Sequence, residues 1–365
     1  MTHRSKSPPL QVLMLGPALD VQGGVSAVER LIVGHVPDGV RIRLLTTSAQ
    51  TSNLGKVLYF VLAYFRFLFV LLTTRVDVVH MHFSVQGSLW RKSLCVPLTK
   101  LFRKPVVLHA HAGGFPDYLA SVPAWQRRWF LKTLRRADTL IVLSEGWREY
   151  YLKLTGLPAE QVIALPNPLQ LPAVLPDRRN RTTVTLVFLG RMDENKGPAR
   201  ILSAVALLSG TLRQNVRLLM AGDGEVQQVR MAAESLGLQC QAVIEDWVSP
   251  ERRDEILAAG DVFVLPSKAE GMPMSLLEAL AWGLPVVTSP LGGIPEVVRH
   301  GENGFLVSPT DERAIRDAIE RLVQDEPLRL RMGAAARATA AHFDIARYWA
   351  RLEDIYLKTL QRRRE

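Results

Sequence analysis

The chain has 365 residues, 48% of them hydrophobic, and a formal net charge of +10. This length exceeds what one hydrophobic core usually serves, so two domains are expected. The two cysteines, Cys95 and Cys240, lack the spacing of a zinc site or a disulfide framework, which favours a reducing cytoplasm. The basic N-terminus is followed by an apolar run that is short for a signal peptide and by a glycine-rich loop, so we expect a tail and a first strand there.

The positive charge is concentrated in the first half. Through residue 170 there are 20 Lys and Arg against 9 Asp and Glu, and the remainder has 25 against 26. An excess of this kind indicates phosphate groups, which nucleic acid, anionic lipid or a phosphorylated substrate can supply. Nucleic acid is the least favoured of the three, because no helix-turn-helix, RNP or finger signature accompanies the charge.

Short apolar runs alternate with longer helical stretches along the whole chain. The runs predict strands at 11–15, 41–46, 76–82, 105–110, 138–144 and 161–165, and then at 183–189, 215–221, 239–244, 261–266, 285–288 and 304–307. Such alternation is typical of parallel sheets with helices on both faces.

Four prolines between the two sets of strands predict a linker. We therefore predict an α/β protein of two Rossmann-like domains whose parallel sheets face each other across a cleft. The N-terminal domain spans 1–167, the linker 168–182 and the C-terminal domain 183–342. A last helix at 343–365 is expected to pack back on the first domain.

Two helical stretches of the first half could touch a membrane. Residues 57–72 are apolar except for Arg66, but they fall short of the roughly 20 residues that span a bilayer. We expect a buried or membrane-touching helix there. At 123–136 a basic stripe lies beside two tryptophans, which suits either anionic headgroups or a solvated helix face. The residues concerned are Trp125, Arg128, Trp129, Lys132, Arg135 and Arg136.

Two loops of the first half carry candidate ligand-binding residues. Gly23 and Gly24 follow the first strand, where a backbone without side chains can approach a phosphate or sugar closely or simply form a tight turn. Strand alternation directs His80 and His82 to one face, and His109 and His111 likewise, so four imidazoles are expected to gather. A zinc site is conceivable, but we predict no metal, because no carboxylate or cysteine joins the histidines at ligand spacing. A single histidine that donates to a sugar hydroxyl is more economical.

The second half offers a cationic loop after its first strand. Arg191 and Lys196 lie there, before a helix that begins near Pro198, and they could clamp a pyrophosphate or belong to a solvated loop. The chain has no Asp-x-Asp sequence to hold a divalent metal on a nucleotide diphosphate, so these cations would replace the metal. The sequence AGDGE at 221–225 lacks the third glycine of a dinucleotide fingerprint and predicts a turn.

Two carboxylates stand eight residues apart in KAEGMPMSLLEALAWG, at Glu270 and Glu278. Ser275 and Glu278 fit a capping box that would open a helix. Glu270 instead ends a loop after an apolar strand, which is where α/β proteins bind ligands. Capping and a shared ligand remain open alternatives on spacing alone.

At these positions, and at FLGRMDENKG, HAHAGG, GGVS and ENGFLV, the sequence resembles the retaining glycosyltransferases of GT-B fold in glycosyltransferase family four. The resemblance implies that Glu278 accepts hydrogen bonds from the ribose of a nucleotide-sugar donor and that Glu270 holds a donor-sugar hydroxyl. It also implies that Arg191 and Lys196 neutralise the leaving diphosphate.

The same resemblance implies that the N-terminal domain is the acceptor side and that the C-terminal domain binds the nucleotide sugar. His111 would contact the donor sugar, and Gly24, with Gly23, would let a loop approach the diphosphate. Donor contacts are also expected from Gly271, Met272, Met274 and Ser275, and backbone contacts to the base from Trp247 and Val248. Pro273 departs from the glycine that many relatives have, and it lacks an N–H that could face phosphate.

The expected activity is metal-independent hexosyl transfer with retention, with no cofactor besides the donor substrate. The expected acceptor is a saccharide linked to polyprenyl pyrophosphate, in exopolysaccharide or lipopolysaccharide synthesis. The expected location is cytoplasmic, peripheral on the anionic inner face of the plasma membrane, without nucleic acid. The alternatives are a nucleotide-sugar epimerase of the same fold and a catalytically silent nucleotide-sugar-binding subunit; an oxidoreductase fits the glycine patterns poorly.

Overall fold

A computed structural model describes residues 8–363, which fold into two compact units. Unit 1 combines the chain up to Pro168 with the stretch from Ile345 onward, and unit 2 is Leu169–Asp344. Most of the predicted N-terminal tail, residues 1–7, and the last two residues lie outside the described residues. All twelve predicted strands are confirmed, and they form two parallel sheets of six.

The sheet of unit 1 has the strand order β2-β1-β3-β4-β5-β6. Its strands are β1 Leu10–Pro17, β2 Val40–Ser48, β3 Val78–Phe83, β4 Val106–Ala110, β5 Thr139–Val142 and β6 Val162–Ala164. Every residue of β3 is buried, as expected for a central strand covered on both faces. The strand order reverses between β1 and β3, and ligands of open α/β sheets bind beyond the carboxyl ends of strands at such a switch point.

Seven α-helices flank this sheet. They are α1 Gly24–Gly34, α2 Asn53–Thr73, α3 Gly87–Leu101, α4 Phe115–Ser121, α5 Ala124–Leu134, α6 Glu145–Thr155 and α15 Ile345–Arg362. One face of the sheet forms a core with α2, α3, α5 and α6. On the other, α15 packs beside α1, where the Trp349 indole donates to the Ile32 carbonyl at 3.1 Å. The C-terminal helix therefore belongs to unit 1 although its chain position follows unit 2.

The sheet of unit 2 has the order β12-β11-β10-β7-β8-β9 and reverses between β7 and β10. Its strands are β7 Val184–Leu189, β8 Val216–Ala221, β9 Ala242–Glu245, β10 Val262–Leu265, β11 Val286–Thr288 and β12 Gly304–Leu306. Its helices are α7 Pro198–Ala206, α8 Gly210–Gln214, α9 Val226–Ser235, α10 Pro250–Ala259, α11 Met274–Ala281, α12 Ile294–Val297, α13 Glu312–Gln324 and α14 Glu326–Ala340. This is the dinucleotide-fold strand order.

The proline-rich segment at 168–182 packs on unit 2. The buried Arg178 guanidinium donates to the carbonyls of Leu257 and Gly260 at 3.2 and 2.6 Å. Arg337 of α14 donates to the Pro172 carbonyl at 2.8 Å. These bonds hold most of the segment as an ordered part of unit 2.

Helix α2 is long and apolar enough to cross a membrane by length and composition, and 17% of its apolar window is buried. Only Ala63, Phe67 and Leu71 are fully buried, and they belong to the core of unit 1. Of the two alternatives, the buried helix is therefore wrong for most of its length, and membrane contact stays a prediction. The outward face exposes Leu54, Val57, Leu58, Val61, Leu62, Phe65, Phe69 and Leu72.

Candidate active site

The loop after β7 places both predicted cations of unit 2 at the strand-order switch point. It is fixed by the turn after β8, because the Met192 N–H donates to the Asp223 carbonyl at 2.6 Å and the Glu225 N–H donates to the Met192 carbonyl at 2.7 Å. A Cβ on Gly222 would lie 1.8 Å from the Gly190 carbonyl oxygen, so the two loops meet backbone to backbone. The AGDGE turn thus positions Arg191, a function that its sequence does not reveal.

Lys196 and Glu270 meet at this point. The Lys196 ammonium lies 2.5 Å from Glu270 Oε1, and the Ser267 hydroxyl donates to the same oxygen at 2.7 Å. Glu270 is 7% exposed. Since both bonds end on Oε1, the second carboxylate oxygen is available to a ligand hydroxyl. A charged, nearly buried carboxylate held by two donors is a preorganised acceptor.

Glu278 does not cap its helix. Helix α11 begins at Met274 with Pro273 at the N-cap position and no side-chain cap, so the capping-box alternative is wrong. Glu278 instead forms a 2.8 Å ion pair with Arg253 of α10. Sequence reasoning missed Arg253, because ERRDE at 251–255 has the composition of a solvated helix face, and it missed Ser267 for lack of any signal.

The remaining predicted donor contacts surround the start of α11. Met272 and Met274 are buried and Ser275 is half-buried. The carbonyl of Gly271 accepts a 2.7 Å bond from the Gly293 N–H. A Cβ on Gly292 would lie 2.1 Å from the Glu270 carbonyl oxygen, and its φ of +56° also favours glycine. The glycine pair after β11 therefore supports the backbone that carries Glu270.

Arg191 and Trp247 are the exposed members of the predicted set in unit 2. The Arg191 side chain is 63% exposed, and its Nε lies 3.4 Å from an Asp193 oxygen. Trp247 lies between β9 and α10, next to Val248, and is 44% exposed. Both side chains can therefore turn toward a ligand at little cost in packing.

The glycine loop of unit 1 leads into α1 at the other switch point. Gly23 has φ +146°, which only glycine adopts readily, and Gly24 is the first helical residue. The buried Glu29 of α1 lies against the Cα of Gly16, because a Cβ there would clash with the carboxylate. Burial raises the pKa of Glu29 to about 8, against the opposite effect of the Lys92 ammonium. This buried acid and base were not expected from the sequence.

The four histidines gather on one face of β3 and β4, as predicted. His82 is the register partner of His109, and the ring centroids of neighbouring imidazoles lie 4.2–5.4 Å apart. Burial lowers the pKa of His80 and of His111 to about 3, and it lowers the pKa of His82 and His109 well below the usual value. All four are therefore neutral at physiological pH.

Hydrogen-bond counting assigns the protons of the central pair. His82 Nδ1 lies 2.8 Å from His111 Nε2, and His82 Nε2 has no hydrogen-bond partner among the described residues. A buried N–H without an acceptor is more costly than a buried lone pair without a donor. On this argument we assign the His82 proton to Nδ1, from which it is donated to His111 Nε2, and the His111 proton to Nδ1, where a ligand hydroxyl could accept it.

The same cluster has the residue types of a metal site. Ring nitrogens of His80, His82 and His109 all lie within 4.8 Å of one another. The ring planes, however, are within 10–36° of parallel. Only the His80–His109 pair is stacked, and the other two pairs are tilted, so the ring planes by themselves do not decide whether an ion could be shared. The prediction of no metal stays a prediction.

Comparison with known proteins identifies the family. The family model for glycosyl transferases group 1 matches residues 177–339, and the model for glycosyltransferase family 4 matches residues 28–171. A D-inositol 3-phosphate glycosyltransferase of Corynebacterium jeikeium is 30% identical over 73% of this chain and 68% of its own length. This chain belongs to glycosyltransferase family four. Its fold is GT-B, as the sequence motifs predicted.

Two other relatives show how far along the chain the sequence similarity extends. The protein of the same name from Corynebacterium diphtheriae is 35% identical, but over 48% of this chain and 42% of its own length. The UDP-Gal:alpha-D-GlcNAc-diphosphoundecaprenol alpha-1,3-galactosyltransferase of Escherichia coli is 25% identical over 89% of this chain and 86% of its own. Similarity to the second of these glycosyltransferases extends over most of both chains.

Solved structures agree on the fold. Sucrose-phosphate synthase of Thermosynechococcus elongatus has a TM-score of 0.79 at 19% identity, covering 96% of this chain and 98% of that one. HepE of Anabaena in complex with UDP has a TM-score of 0.75 at 18% identity, covering 94% and 99%.

Proposed function

We propose that this glycosyltransferase moves a hexose with retention from a nucleoside-diphosphate sugar to a saccharide carried by polyprenyl pyrophosphate, without a metal on the diphosphate or any other cofactor. The site that supports this proposal best is the Glu270 carboxylate. It is nearly buried, held by Lys196 and Ser267, and has one oxygen available at the strand-order switch point. Such an acceptor suits a sugar hydroxyl better than a phosphate, which it would repel.

The cations of unit 2 support departure of the diphosphate without a bound metal ion. As the bond from the anomeric carbon to the phosphate oxygen breaks, negative charge grows on the diphosphate, and fixed cations stabilise it more than the ground state. We assign this role to Arg191 and Lys196. The acceptor oxygen forms the new bond on the same face of the sugar, and its proton passes to the departing diphosphate.

Glu278 is proposed to accept from the ribose hydroxyls of the donor. Its pair with Arg253 fixes the carboxylate on α11, and it can accept further hydrogen bonds beside the guanidinium. The proposed contacts of Gly271, Met272, Met274 and Ser275 with the donor rest on the same stretch. In unit 1, His111 is proposed to donate from Nδ1 to a sugar hydroxyl, and Gly23 and Gly24 to admit the diphosphate.

The acceptor proposal draws on relatives and on α2. The Escherichia coli relative is named for a diphosphoundecaprenol-linked acceptor, and the Corynebacterium relatives for inositol 3-phosphate. The exposed apolar face of α2 favours the lipid-linked class, because eight adjacent large apolar side chains in water indicate a missing contact. Polysaccharide or lipopolysaccharide synthesis at the inner face of the plasma membrane follows as the proposed setting.

Donor binding is the first test. Thermal unfolding is measured with UDP, GDP and ADP in turn, each with and without a chelator. A nucleotide bound only to the folded state at about 100 times its dissociation constant adds roughly 2.7 kcal/mol of stability. One nucleotide should stabilise the protein equally with chelator present. Stabilisation that needs a divalent metal would contradict metal independence, and no stabilisation by any of the three would contradict the donor site.

Transfer is the second test. Sugar-labelled donors of the base so identified are incubated with lipid extracted from bacterial membranes, and label is sought in the organic phase. The anomeric configuration of the product is then read by NMR; an inverted centre would contradict retention. Change of the donor sugar without an acceptor would instead favour the epimerase, and donor binding without turnover would favour a silent subunit.

Membrane contact is tested by flotation with vesicles of phosphatidylglycerol. The variant Phe65→Ser/Phe69→Ser removes two exposed rings of α2 and should reduce the bound fraction, whereas Leu207→Ser, an exposed apolar residue of unit 2, should not. Protein that stays with the soluble fraction at low salt would contradict membrane contact.

A further inference from the structure

Besides the neutral histidines, unit 1 contains a charged site, which lies at the opposite edge of its sheet. A cavity of about 680 Å³ lies where α3, α5 and α15 end and β5 begins. Its lining includes Lys100, Arg135, Arg136, Arg362, Arg363 and a single acid, Asp138. Because Asp138 precedes β5, the cavity is at the amino ends of the strands. None of its residues takes part in the proposed catalytic site.

The cavity holds positive charge that its lining does not neutralise. Asp138 accepts from Lys100 at 2.6 Å and lies 3.7 Å from Arg363. The other bonds of the cations go mostly to neutral acceptors: Arg135 donates to the Thr155 carbonyl at 2.9 Å, and Arg362 donates to the Thr139 hydroxyl at 2.7 Å. Carbonyls and hydroxyls orient a guanidinium but leave its charge in place. Among the residues that the structure describes, one carboxylate therefore faces five cations.

Four of the five cations, Lys100, Arg135, Arg362 and Arg363, are held in place before any ligand arrives. Arg363 also donates to the Arg103 carbonyl at 2.8 Å, so both arginines at the end of α15 are anchored. Burial lowers the pKa of Lys100, and the nearby Arg363 and Arg136 act in the same direction against Asp138. Like charges held together in this way create a strong local attraction for an anion.

The position of the cavity indicates where the anion comes from. Helix α2 packs beside α3, and α3 packs beside α5, in one layer on the same face of the sheet. The exposed apolar face of α2, together with Leu101, Trp125 and Trp129, therefore belongs to the layer whose α3 and α5 border the cavity. A helical layer that exposes both apolar side chains and clustered cations complements a bilayer with anionic headgroups.

We propose that this cavity binds the phosphate group of an anionic lipid headgroup when α2 lies against the bilayer. The proposal rests on the proposed membrane contact and adds a defined site to it. Charge attraction alone would depend only on how many cations face the membrane. A headgroup site instead requires the cations that line the cavity.

Two double variants with the same change of charge separate these possibilities. Arg135→Gln/Arg136→Gln alters exposed residues of the cavity, and Arg127→Gln/Arg128→Gln alters exposed residues of α5 outside its lining. Binding to phosphatidylglycerol vesicles is measured at physiological salt, with phosphatidylcholine as the neutral comparison. Since a hydrogen bond to a charged group contributes about 1.5–3 kcal/mol, the cavity pair should lose about tenfold more affinity than the control pair.

Free inorganic phosphate is the second arm. It should not compete with vesicles at millimolar concentration if the lipid is the ligand. Equal losses in the two double variants would overturn the headgroup site while membrane contact stands. Cavity-dependent binding of free phosphate with unchanged vesicle binding would also overturn it and assign the site to a soluble phosphate. If the wild-type protein binds neither kind of vesicle, both the membrane contact and the headgroup site are contradicted.

Discussion

The carboxyl edges of the two sheets have the same architecture and opposite chemistry. In unit 2 the edge ends in ion pairs, Lys196 with Glu270 and Arg253 with Glu278. In unit 1 it ends in a glycine loop and neutral imidazoles. Fixed charges stabilise charge that develops during a reaction, whereas neutral donors align hydroxyls without disturbing the electrostatic balance. We therefore expect unit 2 to control the rate of bond cleavage and unit 1 to orient the sugar.

The largest effect should come from Glu270→Gln. The variant removes the acceptor for a sugar hydroxyl and leaves the half-buried Lys196 without its counter-charge. Loss of one preorganised group of this kind costs about 10²–10³ in rate. The matched control is Glu194→Gln, which breaks the exposed pair with Lys268 on the same side of unit 2. Labelled-sugar transfer should fall in the first variant and stay within about twofold in the second; equal activities would remove Glu270 from the site.

Glu278→Gln should reduce donor binding next. A hydrogen bond to a charged group contributes about 1.5–3 kcal/mol, so the nucleotide should bind about 10–100-fold more weakly. Arg253→Gln tests the pair, because the double variant should lose less than the sum of the two single losses. Calorimetric titration with the nucleoside diphosphate measures all three variants. Additive losses would mean that Arg253 does not position Glu278.

Gly222→Ala should act on stability and, through the loop of Arg191, on binding. Its Cβ would lie 1.8 Å from the Gly190 carbonyl oxygen, and relieving such an overlap costs about 1–3 kcal/mol. The control is Gly210→Ala, where a Cβ meets nothing within 4 Å. Urea unfolding gives the free energy of each variant. Similar stabilities would show that the two loops separate easily.

The sequence predicted the fold more completely than the site. All twelve strands could be predicted, because parallel strands are continuous apolar runs between helical stretches. Glu270 and Lys196 could be predicted to share a site from their places after two strands. Arg253 could not, because a helix such as α10 shows in its sequence neither its partner nor its orientation. Nor could the cavity, whose cations come from residues 100, 135–136 and 362–363 and meet only in three dimensions.

In unit 1, the substitution His82→Leu should remove the hydrogen bond that fixes the tautomer and the ring orientation of His111. Without the bond from His82 Nδ1, His111 should populate both neutral tautomers, and transfer should fall about tenfold, the effect of one hydrogen bond. Long-range ¹⁵N–¹H NMR reads the tautomer without any substrate. His82→Asn keeps an N–H donor at that place and should restore the Nδ1–H form. His80→Leu, equally buried but bonded to Tyr356, should leave His111 unchanged; a shift there would indicate general damage to the sheet.

A further effect should be an acid sensitivity of unit 1. In the unfolded chain a histidine has a pKa near 6.5, whereas burial holds the pKa of His109 well below that value in the folded chain. As the pH falls below about 6.5, His109 takes up a proton in the unfolded state but stays neutral in the folded state. The free energy of unfolding therefore decreases. The substitution His109→Leu removes this contribution of His109 to the pH dependence of stability, together with its two unpartnered ring nitrogens. Between pH 7.5 and 5 its unfolding free energy should fall about 2 kcal/mol less than that of the wild type. His35→Leu, at an exposed position of the same unit, should follow the wild type; equal pH dependence of all three proteins would mean that His109 is protonated in the folded state.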